Sequence, residues 1–183
     1  VDTAITHGMF QTISIATTTG FASDNFSLWP SFLPTFLIML SVMGACAGST
    51  GGGMKAMRIL LIFRQGRREL KQLLHPNAVI PLKLDHRRVR PEVVSAVWSF
   101  FAVYMFSAFI LVLCMLATGL DFLSATSAVT AAINNLGPGL GSVSANYASV
   151  TDPGKVILCV AMLLGRLEIF TLLILFTPTF WRP

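Results

Sequence analysis

Ile13-Ser-Ile-Ala-Thr-Thr-Thr-Gly-Phe21 is a short run of apolar and small residues that stops at a compact turn around Gly20. A weaker echo, Ala131-Ala-Ile-Asn-Asn-Leu-Gly-Pro-Gly139, stops in the same way around Gly137. A polar loop and a long apolar helix pattern follow each turn. In a soluble protein such a turn simply ends a helix, as glycine commonly does. Between membrane spans it aims backbone carbonyls at an ion. Composition selects the setting. Hydrophobic residues make up 54% of the chain and charged residues 11%, and apolar stretches of about twenty residues recur, the mark of an all-α integral membrane protein. A soluble domain would carry far more surface charge.

Charge and cysteine usage narrow the function classes. The net charge is +5, and ten of the thirteen Lys and Arg lie between Lys55 and Arg90. Aromatic residues do not interleave with them as a nucleic-acid stacking platform requires, so no nucleic-acid partner is expected. Basic residues between spans mark a cytoplasmic connection. Cys46, Cys114 and Cys159 all sit in apolar runs without ligand-like spacing and read as buried thiols. The opening, Val1 to Gln11, has no initiator Met, basic start or cleavage motif, so the chain reads as a piece of a longer protein.

Taken in order, Asp2 to Ala16 is a helix pattern too short to cross about 30 Å of hydrocarbon. Ala22 to Pro34 is a polar, aromatic-bearing interfacial loop. Phe32 to Phe63 is apolar but overlong for one span at about 1.5 Å per residue. Its middle, Gly44-Ala-Cys-Ala-Gly-Ser-Thr-Gly-Gly-Gly53, cannot be a stable helix at roughly 1 kcal/mol per glycine. Two half-helices joined by an unwound loop at membrane depth are expected, with that backbone facing protein or a watery cavity. Arg64 to Arg90 is the basic connection, with a short amphipathic helix near Gly66 to Leu74. Val93 to Thr118 is a single span. Gly119 to Asn135 is a second short helix pattern, which Asp121 is placed to cap, and Gly154 to Trp181 is a last span. The units are residues 1–63, 64–92 and 93–183.

Short helix, glycine turn, outer loop and long helix thus occur twice. Phe36-Leu-Ile-Met-Leu-Ser-Val-Met-Gly44 parallels Ile157-Leu-Cys-Val-Ala-Met-Leu-Leu-Gly165, with a glycine closing each. With the basic connection in the cytoplasm, both polar loops lie outside and both short helices dip in from the outer face. The repeating unit is span, pore loop, span.

Four segments carry a family resemblance: Ala16-Thr-Thr-Thr-Gly-Phe21, Ala47-Gly-Ser-Thr-Gly-Gly-Gly-Met-Lys55, Asn134-Asn-Leu-Gly-Pro-Gly139 and Gly165-Arg-Leu-Glu168. Together they span nearly the whole chain, which resembles the C-terminal part of bacterial Trk-type potassium uptake proteins in the Trk/Ktr/HKT superfamily. The resemblance implies four span–loop–span repeats around one pseudo-fourfold pore, with this chain holding the end of the third repeat and all of the fourth. It implies potassium held at a filter by Thr17, Thr18, Thr19 and Gly20 in one loop and by Asn135, Leu136 and Gly137 in the other. The transported ion is then the only metal, with no cofactor. The resemblance further implies a multi-pass protein of the bacterial inner membrane that contacts lipid, forms homodimers and binds a cytoplasmic nucleotide-binding regulatory ring.

The unwound segment admits three readings. A phosphate loop needs Lys directly after the last glycine and then Ser or Thr, whereas Met54 intervenes and Ala56 follows Lys55. Small-residue helix packing through Gly44, Gly48 and Gly52 is a second. The resemblance implies a third, a gate beneath the filter formed by Gly48, Ser49, Thr50, Gly51, Gly52 and Gly53. Arg166, a charge in mid-span, must face protein or water. It either belongs to a structural ion pair or donates to Ser49–Gly53 and holds the gate closed. Glu168, two residues on, points to another side of a helix. No nucleophile–base pair or carboxylate pair stands out, so no enzyme is expected. The rival class is a secondary transporter whose re-entrant hairpins bind another cation or a small solute near the midplane, which predicts more polar groups along the spans.

Overall fold

The computed structural model describes residues 2–30, 32–44, 51–78, 80–84 and 87–167. The helices are α1 (Asp2–Ala16), α2 (Phe32–Met43), α3 (Ala56–Leu74), α4 (Pro91–Ala117), α5 (Phe122–Ile133) and α6 (Asp152–Arg166), with a small antiparallel ribbon of β1 (Lys83–Leu84) and β2 (Arg87–Arg88) between α3 and α4. Single 3-10 turns at Phe26–Leu28 and Gly141–Val143 shape the two polar loops.

α4 alone among the described helices is long and apolar enough to cross a membrane. Its 27 residues reach about 40 Å, and Pro91 at its first turn starts it where a missing N–H costs nothing. Met105, Phe106, Phe109 and Leu113 stand exposed along it, as side chains facing lipid or further helices do. α1 and α5 have 15 and 12 residues, too short to span.

α5 is the hub. Ala125, Ala128 and Ala131 are wholly buried, and these small side chains let α4 and α6 approach its backbone closely, as in membrane helix packing. Met115, Val129, Ile133, Leu158 and Ala161 fill the space around it. A second cluster, Ile15, Phe26, Leu37, Ile38, Ala131, Leu136 and Leu140, joins α1 and α2 to α5 and the turn that follows it. Leu61, Leu82 and Val97 pack α3 and the segment before β1 onto the start of α4.

Four expectations need correction. Cys114 and Cys159, expected as buried thiols, are exposed on α4 and α6. The apolar run to Phe63 and the amphipathic stretch near Gly66 are one continuous helix, α3. Nothing lies within 4 Å of where a Gly66 Cβ would be, so one glycine costs about 1 kcal/mol, and flanking Arg, Leu and Lys residues outweigh it. The basic connection also holds the β1–β2 ribbon, which two-residue strands leave invisible in a periodicity. Gly44 and Gly165, expected to close their helices alike, differ. Gly44 ends α2 with φ +63°, whereas Gly165 lies inside the last turn of α6. Of the span expected over Gly154 to Trp181, α6 accounts for the part up to Arg166, and the remainder lies outside the described residues.

Candidate functional site

α1 and α5 end in the same hydrogen-bonded motif. The Thr17, Thr18 and Thr19 amides donate to the Ile13, Ile15 and Ser14 carbonyls at 2.9, 3.1 and 2.8 Å; the Asn134, Asn135 and Leu136 amides donate to Thr130, Ala132 and Ala131 at 3.0, 3.0 and 2.8 Å. Crossed bonds of this kind form the Schellman helix end, which needs a left-handed residue just past the helix. Thr18 (φ +55°) and Asn135 (φ +53°) supply it, and Gly20 (+82°) and Gly137 (+102°) repeat the left-handed angle two residues later. Asparagine tolerates this region, while a β-branched threonine there is an outlier. A turn that alternates hand in this way leaves its peptide carbonyls outside the helix ladder. Among the described residues, the Thr17, Thr18, Thr19, Asn135 and Leu136 carbonyls accept no hydrogen bond.

The two turns meet face to face. A Cβ on Gly20 would collide with the Leu136 carbonyl oxygen and lie 3.7 Å from Pro138. Gly137 has no atom within 4 Å of a Cβ position, so only its backbone angle demands glycine. Both glycines open into one cavity of about 570 Å³ lined by Asp24, Asn25, Phe26, Ser144 and Tyr147 of the polar loops. Tyr147 donates to the Gly137 carbonyl at 2.6 Å, and burial pushes its phenol up to about 12, so it stays a donor across the physiological range. In the first turn the Thr17 hydroxyl donates to Ile13 at 2.7 Å and lies 2.8 Å from the Thr19 hydroxyl. At the other end of α5, Asp121 caps the helix by accepting from the Ser124 amide at 3.1 Å, and hydrogen bonds from Ser124 hold its carboxyl below the usual range.

The glycine-rich break comes back on itself at its neck. The Met54 amide donates to Val42 at 3.0 Å, a Cβ on Gly44 would lie 2.6 Å from the Gly52 carbonyl oxygen, and one on Gly53 would lie 3.1 Å from both Ser41 and Val42. Gly52 is pressed against the Asn134 carbonyl. Gly165 is pressed against the Ile133 carbonyl, and the Asn135 Nδ2 donates to Met162 at 3.3 Å. The break and the end of α6, where exposed Arg166 follows Gly165, therefore converge on the residues that lead into the second turn. Of the residues expected to gate, Gly51, Gly52, Gly53 and Arg166 are described. Gly48, Ser49 and Thr50 lie outside the described residues, as does Glu168.

Sequence reasoning missed the residues that fix this junction. Asn134 is fully buried, donates to Ser41 Oγ at 2.9 Å and accepts from the Tyr104 hydroxyl at 2.8 Å, while Ser41 donates to Ile38 at 2.6 Å. This chain of bonds ties α4, the end of α5 and α2 together. Its one sequence signal was a polar group in each of three apolar stretches. Gln11, also fully buried, ties α1 to the outer loop through the Asp24 carbonyl at 2.6 Å.

A family model described as a cation transport protein, TrkH, matches residues 1–182. The chain belongs to the TrkH family. The Trk system potassium uptake protein TrkH of Vibrio parahaemolyticus is 56% identical over 182 residues, 98% of this chain and 37% of that protein. Its Salmonella typhimurium counterpart is 52% identical over 180 residues, with coverages of 98% and 37%. The crystal structure of the potassium transporter TrkH from Vibrio parahaemolyticus superposes with a TM-score of 0.90 at 55% identity, over 96% of this chain and 38% of that one. The chain spans little more than a third of the length of these TrkH relatives. Its mostly helical fold is the TrkH membrane-transporter fold, and the resemblance drawn from the four motifs is borne out. The TrkH relatives are named as potassium uptake proteins and, in the crystal structure, as a potassium transporter.

Proposed function

We propose that this chain forms two of the filter loops of a potassium-translocating membrane protein. Thr17, Thr18, Thr19 and Gly20 in one loop and Asn135, Leu136 and Gly137 in the other replace part of the hydration shell of K+ with oxygens. The observation that carries the reading is the pair of matching left-handed turns, in contact through Gly20 and Leu136, whose Thr17, Thr18, Thr19, Asn135 and Leu136 carbonyls accept no hydrogen bond among the described residues. The outer cavity contains Asp24, a negative charge suited to gathering cations. Four such loops, supplied by four span–loop–span repeats around a pseudo-fourfold axis, complete the coordination. The whole protein is a multi-pass inner-membrane homodimer that moves K+ without a cofactor and answers to a cytoplasmic nucleotide-binding ring.

The gate is the glycine-rich break, Gly48 to Gly53, held closed by Arg166 below the filter. The support is the close packing of Gly52 and Gly165 on adjacent carbonyls of Asn134 and Ile133, so that a shift of the break is felt at the second turn.

The deciding experiment reconstitutes the full-length protein in vesicles and compares uptake of potassium, rubidium, sodium and lithium. Potassium and rubidium are expected to pass in preference to the two smaller ions. Equal passage of all four would overturn the filter reading.

A further inference from the structure

One face of α3 carries a basic cavity that the proposed filter leaves unused. Arg64, Arg67, Arg68 and Lys71 fall at i, i+3, i+4 and i+7 and share one helix face. The chain before β1 folds over that face, and with Ile80, Pro81, Leu82 and Lys83 it closes a cavity of about 290 Å³. Its walls are held in place. Arg64 Nη1 donates to the Lys83 carbonyl at 2.7 Å, and the Arg67 guanidinium lies 4.5 Å from the Phe63 ring centroid. Arg68 Nη1 reaches Gln65 at 3.4 Å, but its Nε–H is buried with no acceptor among the described residues. A buried guanidinium N–H without a partner is costly, and here it belongs to a residue lining a basic cavity. No carboxylate among the described residues lines that cavity, and nearby Glu69 is bound by Gln65 at 2.8 Å.

The level of the cavity names the anion. Leu61 of α3 and Leu82 of the cavity wall pack on Val97, near the start of the membrane-length helix α4. That helix is about 40 Å long against about 30 Å of hydrocarbon, so its first turns lie among headgroups. Trp98, partly exposed beside Val97, is the residue type that marks this boundary. Next to the basic face, Phe63, Leu70 and Leu74 form an exposed apolar stripe, 57%, 64% and 76% accessible. Basic groups flanked by exposed apolar side chains are the pattern of a helix lying at a lipid surface.

We propose that this cavity is a binding site for the headgroup of an anionic phospholipid, with the phosphodiester between Arg64, Arg68, Lys71 and Lys83 and the acyl chains along Phe63, Leu70 and Leu74. Basic pockets beside transmembrane helices on the cytoplasmic side suit such headgroups. The proposal rests on the membrane setting of the chain and on no assumption about which ion it carries.

The test is native mass spectrometry of the full-length protein in detergent, offered cardiolipin, phosphatidylglycerol or phosphatidylcholine. The wild type is expected to retain the two anionic lipids and lose phosphatidylcholine. Retention should fall about fivefold for each charge removed in the combined variant Arg64→Gln, Arg68→Gln, Lys71→Gln, and should survive in Arg64→Lys, Arg68→Lys, which keeps the charge. Leu70→Gln with Leu74→Gln should weaken retention with every basic group intact. Unchanged cardiolipin retention in the triple glutamine variant, checked as folded by its thermal transition, overturns the proposal. So does displacement of the lipid by inorganic phosphate alone, which would make the cavity a free-anion site. Loss of a co-purifying cytoplasmic regulatory protein from the triple variant, with lipid retention unchanged, overturns it too. Cation flux is read separately, so either result stands without the other.

Discussion

At the residue scale, Gly20 and Gly137 occupy matching positions for different reasons. Gly137 meets only a backbone demand, φ +102° with open space at its Cβ position, while Gly20 meets that demand and also gives its space to the Leu136 carbonyl. A Cβ in the left-handed region costs about 1–2 kcal/mol. Gly137→Ala is therefore expected to reduce potassium uptake in part. Gly20→Ala must also push the two turns apart and is expected to abolish potassium preference. Comparable uptake curves for the two variants would refute this ordering. Asn134 works through its side chain. Asn134→Ala strands the buried Tyr104 hydroxyl and should lower stability by about 1–3 kcal/mol, read from the thermal unfolding of the detergent-solubilised protein. Adding Tyr104→Phe to Asn134→Ala should cost little more, because both remove the same bond. Independent, additive losses would show that the bond does not couple α4 to α5.

At the element scale, the helix ends carry the pattern and the helix bodies do not. α1 and α5 share their Schellman bonds and left-handed angles, yet α5 is mostly buried from Ser124 to Ile133 while α1 leaves Ile5, Met9 and Ile13 exposed. Those α1 side chains have the size and polarity of a lipid or helix contact. α3 links the glycine-rich segment to the basic surface in one rod, without a joint at Phe63. Since the Gly66 position is open, Gly66→Ala should stiffen this rod and raise stability by about 0.5–1 kcal/mol. A lowered thermal midpoint would indicate a flexure at that point.

At the scale of the whole molecule, Gly52 of the break and Gly165 at the end of α6 lean on the adjacent carbonyls of Asn134 and Ile133 at the entry to the second turn. In the proposed function, gating is therefore a property of the assembly. Arg166→Ala is expected to raise the resting potassium leak of the full-length protein in vesicles and to weaken its response to the regulatory ring. Unchanged leak and unchanged response would remove Arg166 from the gate. The chain spans little more than a third of its relatives, and two turns supply only part of the oxygens that a bare ion needs.

The sequence by itself determined the membrane class, the two short helices, the two glycine turns, the interruption between α2 and α3, and the family. The family follows from the resemblance of four motifs, and the rest from local composition, periodicity or the backbone freedom of glycine, which adjacent residues record. The β1–β2 ribbon, the continuity of α3 and the Ser41–Asn134–Tyr104 chain were decided by tertiary structure. So was the contact of Gly20 with Leu136. Each depends on which distant backbones come within hydrogen-bonding or van der Waals range, and no local pattern encodes that distance. The Thr17–Gly20 turn announces itself in nine residues, but only the packed fold sets it against its counterpart.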